Sequence, residues 1–438
     1  MSFDYMKGFE PVKNEDYKYS VNCTGRLYNC KTEKEFESLI SETEKSGFEI
    51  LQKRKTEKNS FVMAKKENLL VTMLFSDADK MVFVSEEING KVPMLASAEY
   101  GNECQTAFYA FENDHSLIDC GMCLLMQCSD YSFFVVDSGH YFQFNDNDRI
   151  YRFMRERTPK GKKVVVNGWF ITHGHTDHVS KLIDFLKYNT EDVIIEGFYH
   201  NILAPDYPND EWCEEEKIVA SRAITAMQNS GAPVYTLHTG ERVYIRNFYF
   251  DVLNTHEDVY PGFVEDYNDS SVVIMLNVEN TKIFIPGDGA IEADKILERR
   301  FPNELKADIV QVAHHGHTGL STAAYEKIGA SVAIFAVTKV MFDGEYDRKE
   351  ANRKAVEIAD RYFITSDGTV EIPLPYTKGN VKVLPDETFE DFEKIKRIWK
   401  YEYSEEYKTQ LYERFLKNGG TLDNQVFPAV PFGYIEPK

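Results

Sequence analysis

The sequence predicts a layered α/β fold in which two sheets pack face to face with helices outside. Three observations predict it. From residue 119 onward, apolar runs of strand length alternate with segments of helical periodicity. Four of those runs, at 133–136, 169–171, 283–285 and 309–312, stop at or just before a carboxylate or an imidazole. Those donors fall where strands hand over to loops, the part of such a fold that is free of packing duties.

Residues 1–30 are polar and tyrosine-rich and read as an extended lead-in. Thr32-Glu33-Lys34-Glu35 has the form of a capping box. It opens a helix through Phe36, Leu39 and Ile40 that stops near Gly47. Alternating runs near 48–54, 59–65, 68–76 and 80–86 read as strands separated by polar turns. Residues 1–118 are therefore expected to hold the lead-in and a small α+β accessory domain, serving a subunit contact or one wall of a site.

The expected main domain, 119–375, continues with a helix at 177–188 that puts Val179, Leu182, Phe185 and Leu186 on one side. A strand at 193–199, a helix near 212–229 and a meander through 233–278 follow. Strand 282–286, helix 291–300, strand 308–313, helix 320–328, strand 331–337 and helix 348–359 complete it. Residues 376–438 form an expected helical C-terminal extension. Phe389, Phe392, Ile395, Ile398, Trp399, Tyr403, Tyr407 and Leu411 supply its apolar side, suited to a core-facing role, a cap over the site or a subunit contact.

The chain has 438 residues, enough for two domains, and 43% are hydrophobic. Its 50 basic and 71 acidic residues leave a net charge of −21, which repels polyanions and makes long nucleic acid a poor partner. The first residues lack the basic start and apolar stretch of a signal peptide, and no apolar run is long enough to span a membrane. Seven cysteines at irregular spacing, with a lone CxxC at Cys120 and Cys123, read as reduced and inert. A cytoplasmic protein with a small-molecule substrate, no membrane partner and room for a homo-oligomer is expected.

Chemistry concentrates in His173-Gly174-His175-Thr176-Asp177-His178, three imidazoles and one carboxylate within six residues. On a strand, alternate side chains share a face. His173, His175 and Asp177 can therefore point together while His178 swings in as the chain turns. Such nitrogen and oxygen donors suit zinc or another borderline divalent ion. A second cluster, His314-His315-Gly316-His317, follows another apolar run, and Asp137 and Asp288 stand at two further strand ends.

In this order, Asp137, the HxHxDH run, Asn268-Asp269-Ser270-Ser271-Val272-Val273, Pro286-Gly287-Asp288, His314-His315-Gly316 and Ser366-Asp367-Gly368-Thr369-Val370 resemble the metallo-β-lactamase-fold superfamily over residues 119–375. The branch they resemble is the ComEC-type one, which includes phosphorylcholine esterases. The resemblance implies a four-layer αββα sandwich and two divalent ions, zinc with manganese or iron as alternatives. It implies that His173 and His175 hold one ion, that Asp177, His178 and His315 hold the other, and that Asp288 bridges them. Asp177, Asp288 and His314 would carry the catalytic step, with His314 donating to a substrate oxyanion. Asp137 would orient a ligand histidine or cap its strand end, Asn268 and His317 adjoin the ligands and could touch substrate, and His256, in the loop before Asn268, could fill the first ion's shell or face solvent or substrate. Many relatives carry a further histidine where this chain has Asn268. The first ion is then under-liganded, which leaves a mononuclear enzyme open.

The expected function is a metal-dependent hydrolase in which paired ions activate a shared hydroxide. A phosphodiester or other small phosphorylated substrate is the leading reading. A carboxylic ester, thioester, lactone or β-lactam is the alternative, and a non-catalytic metal-binding scaffold is the second alternative. His175 stands where di-iron oxidoreductases of this fold carry glutamate, which favours zinc over iron redox work.

Overall fold

The computed structural model describes residues 4–6, 8–115, 118–143, 145–209 and 214–384. The main body is built on two sheets. One runs in the order Val234–Thr236, Phe198–His200, Val164–Ile171, Phe133–Asp137, Cys123–Gln127, Ala107–Ala110, Val370–Pro373, Lys382–Val383, with Val193–Ile195 also paired to Val164–Ile171. The other runs Arg242–Ile245, Phe248–Asn254, Val273–Val278, Thr281–Ile285, Ile309–Gln311, Val332–Phe335, Arg361–Ile364.

Three apolar layers order these sheets. Leu124, Phe134 and Phe170 of the first sheet interdigitate with Phe250, Ile274, Ile283 and Ile334 of the second. The outer face of the first sheet, through Val135, Trp169 and Ile171, packs on helices Asp146–Glu156, Thr176–Tyr188 and Glu214–Asn229. The outer face of the second, through Phe284, Val310 and Phe335, packs on Ile291–Arg300, Thr322–Ile328, Lys339–Tyr346 and Glu350–Ile358. The order is helix, sheet, sheet, helix, the αββα sandwich. Strands buried on both faces become continuous apolar runs, and all five residues of Phe133–Asp137 are buried.

The N-terminal sheet is antiparallel, in the order Cys23–Asn29, Met81–Ile88, Leu69–Ser76, Asn59–Lys66, Glu49–Lys55. Helix Glu33–Lys45 lays Phe36, Leu39 and Ile40 onto Val62, Val71, Phe75 and Val84. Thr32 caps it, accepting from the Glu35 amide at 3.2 Å. Glu35 reaches back to the Lys31 amide at 2.7 Å, one residue before the usual capping-box partner. The sheet docks on the body through backbone carbonyls. Gln52 Nε2 donates to Arg242 O at 2.9 Å, and Arg54 Nη1 donates to Gly240 O at 2.8 Å.

The structure departs from the sequence reading in four places. Residues 23–29, read as lead-in, form an edge strand. Gly25 lets it lie over the Phe83 ring, which a Cβ would meet at 2.3 Å. Ala107–Ala110 pairs with Cys123–Gln127 and Val370–Pro373, so the main sheet begins ahead of residue 118. Helices Asp146–Glu156 and Lys339–Tyr346 were not anticipated, because charged residues break up their apolar stripes. The strand expected at 308–313 ends at Gln311, where the chain turns into left-handed backbone at His314 and His315. The expected helical extension, apart from 376–384, lies outside the described residues.

Candidate metal centre

Strands from both sheets deliver polar side chains to one place. Phe133–Asp137 ends on Asp137, Val164–Ile171 runs into Thr172 and His173, and Thr281–Ile285 leads to Asp288. Ile309–Gln311 leads to His314 and His315. Helix Thr176–Tyr188 starts within the cluster, which puts Asp177 and His178 on its first turn. Backbone strain marks the spot. Asp137, His314 and His315 have φ of 55°, 51° and 55°, a conformation that costs non-glycine residues about 1–3 kcal/mol and gathers at functional sites. Gly287, at φ 58°, passes so close to Thr172 that a Cβ would lie 2.9 Å from the Thr172 Cβ.

Hydrogen bonds fix which ring nitrogen of each imidazole carries its proton. Asp137 accepts from the Thr172 amide and from Thr172 Oγ1, both at 2.8 Å, and its Oδ2 lies 2.7 Å from His178 Nδ1. Because the carboxylate accepts, His178 donates from Nδ1 and turns a bare Nε2 inward. His315 Nδ1 donates to Ala336 O at 2.7 Å, which frees its Nε2 in the same way. Thr172 Oγ1 spends its one proton on Asp137, so it accepts from His173 Nδ1 at 3.0 Å and leaves His173 Nε2 bare.

The bare nitrogens converge with two carboxylates. His178 Nε2 is 3.2 Å from His315 Nε2 and 3.1 Å from Asp288 Oδ2. His315 Nε2 is 3.0 Å from Asp177 Oδ2 and 3.3 Å from Asp288 Oδ2. One ligand atom from each of Asp177, His178, Asp288 and His315 lies within 4.8 Å of all the others. Beside this group, His173 Nε2 faces His175 Nδ1 at 3.0 Å and stands 4.0 Å from Asp288 Oδ2. Asp288 thus touches both halves, and its buried Oδ1 has no hydrogen-bond partner. Crowded lone pairs, buried carboxylates and an orphaned oxygen fit a divalent cation, which satisfies all three at once.

The electrostatics agree with that fit. Burial pushes the Asp288 carboxyl up, but the His178 and His315 imidazoles overcome it and hold it well below the usual carboxylate range. Burial pushes His178 down, and Asp288, Asp177 and Asp137 overcome it, raising it well above the ordinary imidazole value. His315 is raised in the same way, to about 10. Without a cation, a second proton on His178 and on His315, at the inward Nε2, supplies the positive charge that the carboxylates demand, and a bound ion would take its place.

Thr172 links three of these residues, although the HxHxDH pattern gives it no role. Thr172→Val keeps the shape but removes the acceptor for His173 and a donor to Asp137. It is expected to lower stability by about 1–3 kcal/mol and to weaken metal binding. Denaturant unfolding of the metal-free protein and a metal titration measure the two effects separately.

The other sequence-selected residues are distributed around and away from this centre. His314 is half-buried, and its Nδ1 donates to Thr318 O at 3.0 Å. When neutral, its Nε2 is therefore an acceptor, and only the imidazolium can donate to an oxyanion. This narrows the role expected from the sequence. The His317 ring lies 5.3 Å from that of His314, at the rim. Asn268 donates to Asp266 Oδ1 at 2.9 Å, and its buried Oδ1 has no partner. The neighbouring Tyr267 ring packs 4.7 Å from that of His175.

His256 is not brought to the centre. It is fully buried, with Nδ1 2.6 Å from Tyr17 Oη and Nε2 3.0 Å from Asn201 Oδ1. Both nitrogens are occupied, so it cannot complete an ion's shell or meet substrate as the sequence suggested. Cys120, read as inert, places its Sγ 3.4 Å from Asp177 Oδ2. Its spacing to Cys123 points to a zinc finger or nothing, and only the folded chain sets it beside the HxHxDH turn.

No family model and no curated protein matches this chain. Solved structures do. The metallo-beta-lactamase fold protein YhfI from Bacillus subtilis is 10% identical, with 60% of this chain and 96% of that chain covered and a TM-score of 0.36. Unliganded yeast PDE1 is 13% identical, with coverage of 60% and 98% and a TM-score of 0.34. A long form of RNase Z from yeast is 10% identical, with coverage of 70% and 51% and a TM-score of 0.34. These are likenesses of fold.

Proposed function

We propose that this chain is a metal-dependent hydrolase acting on a phosphodiester or another small phosphorylated substrate. The observation that carries the reading is the convergence of Asp177, His178, Asp288 and His315 around one point, with the pair His173 and His175 alongside. In this reading His173 and His175 would hold one ion and Asp177, His178 and His315 a second, with Asp288 placed to serve both. Zinc suits this mixture of imidazole and carboxylate. Divalent ions held there would make water nucleophilic near neutral pH and polarise a phosphoryl oxygen.

The surrounding residues have their own tasks. Asp137 and Thr172 hold His178 and His173 in the tautomers that bind metal. Asn268, where a histidine would close the first ion's shell, leaves room for a phosphoryl oxygen. His314 as imidazolium can protonate a departing alkoxide from Nε2, and as neutral imidazole it can accept a proton there. The net charge of −21 favours a small substrate over a long polyanion. This is the chemistry expected of a ComEC-type relative, and it rests here on the donor set.

The test is a panel of chromogenic phosphodiesters, phosphomonoesters, carboxylic esters, lactones and a β-lactam, assayed against added zinc and manganese. Phosphodiester turnover that requires metal and is lost in His175→Ala supports the reading. Turnover confined to the carboxylic substrates would move the assignment to acyl hydrolysis. Unchanged turnover in His175→Ala would remove the centre from the reaction.

A further inference from the structure

Among the described residues, a second group of potential metal ligands lies apart from the centre above. It joins the N-terminal sheet to the body. Cys23 comes from the edge strand Cys23–Asn29, His238 follows strand Val234–Thr236, and Glu257 follows strand Phe248–Asn254. One ligand atom from each lies within 4.8 Å of the other two. Sequence spacing gives no hint of this, since 215 and 19 residues separate the three positions along the chain.

We propose that Cys23, His238 and Glu257 form a structural divalent-cation site, suited to zinc, that fastens the N-terminal sheet to the body. Thiolate, imidazole and carboxylate are all zinc ligands, and here the carboxylate stands between the other two with one oxygen towards each. His238 Nδ1 is 2.9 Å from Glu257 Oε2, and Cys23 Sγ is 3.7 Å from Glu257 Oε1.

The carboxylate is held in place as ligand carboxylates usually are. Ser20 Oγ donates to Glu257 Oε1 at 2.7 Å, and Ser85 Oγ donates to the same oxygen at 3.3 Å. The His238 amide is fixed by Glu241 Oε2 at 3.2 Å.

Charge and burial supply an independent argument. Glu87 sits directly opposite Cys23 in the antiparallel ladder, on the same face of the sheet. It is 6% exposed, and its Oε2 has no hydrogen-bond partner. Glu87, Glu241 and Glu257 are all buried close to His238, with the buried His256 imidazole beside Glu257. A divalent cation would give the unpartnered Glu87 oxygen and the Glu257 carboxylate a shared positive partner. Loading it sends two protons to solvent, one from the Cys23 thiol as the sulfur–metal bond forms and one from His238 Nδ1 as the nitrogen–metal bond forms. Because the ligands are buried and come from both units, the ion enters as the sheet docks, and its binding energy adds to the docking energy.

The experiment uses the full chain carrying His173→Ala, His178→Ala and Asp288→Asn, which removes a ligand from each half of the centre described above and the carboxylate between them. It is produced with zinc or with cobalt, and metal content and near-ultraviolet absorption are measured. About one equivalent of metal is expected to remain, with cobalt giving a thiolate charge-transfer band. Adding Cys23→Ser or His238→Gln should remove the metal. The band should vanish in Cys23→Ser and persist in Cys120→Ser. A chelator should lower the Tm of the chain that keeps Cys23 and leave the Cys23→Ser chain unmoved. Absence of retained metal, or a band that survives Cys23→Ser, would overturn the proposal. In that case the cluster is a hydrogen-bonded network in which thiol and imidazole donate to Glu257. The outcome is independent of whether the first centre is catalytic.

Discussion

Asp288→Asn is expected to lower metal-dependent hydrolysis by at least about 10³-fold, because transition-state stabilisation by bound ions is worth several kcal/mol. The substitution preserves shape. Asp288 Oδ2 lies 3.1 Å from His178 Nε2, 3.3 Å from His315 Nε2 and 4.0 Å from His173 Nε2, which puts a carboxylate in reach of both ligand groups. A neutral amide removes the bridging charge and offers N–H groups to bare imidazole nitrogens. Metal content should fall with activity while the far-ultraviolet circular dichroism stays that of the parent. Turnover within tenfold of the parent at equal metal would show that Asp288 is not a bridge.

The second large effect is expected at Asp137, which touches no proposed ion. Its two oxygens hold the Thr172 amide, the Thr172 hydroxyl and the His178 Nδ1 proton. Asp137→Asn keeps one acceptor and introduces a donor that can face His178 Nδ1, which would put the imidazole proton on Nε2 and block the ligand atom. Metal affinity should drop by about 10–100-fold, the usual consequence of losing a group that orients a ligand. Activity should return at high metal concentration. A purely structural role would lower stability and leave the metal titration midpoint of the folded fraction unchanged.

How much of this was legible in the sequence depended on where each signal resides. The strands 59–66, 69–76 and 81–88 and the helices 176–188 and 291–300 follow from local periodicity, and the structure places them within two residues of the expected bounds. Burial on both faces made the strand ending at Asp137 a continuous apolar run, which is hard to miss. Strand 23–29 was missed because an edge strand carrying Gly25 and Arg26 lacks that pattern. Helix 146–156 was missed because half its residues are charged.

The candidate centre divides in the same way. Five of the six proposed ligands fall in two short motifs and are visible because several lie next to each other in the chain. Thr172, Tyr267 and Cys120 take their places by tertiary contact and carry no motif. His256 shows the opposite failure. Its position in a loop suggested access, but Tyr17 and Asn201, from distant parts of the chain, close over it. The cluster at Cys23, His238 and Glu257 was invisible for the same reason, since each of its members looks ordinary in its own stretch of sequence.

The central claim is that imidazoles and carboxylates from both sheets share divalent ions. Anomalous diffraction from crystals of the zinc-loaded chain tests it most directly. The account predicts a peak about 2.0–2.2 Å from His178 Nε2, His315 Nε2 and a carboxylate oxygen of Asp177 or Asp288. Well-occupied zinc found elsewhere, with these four side chains unmoved and bonded only to one another, would contradict it.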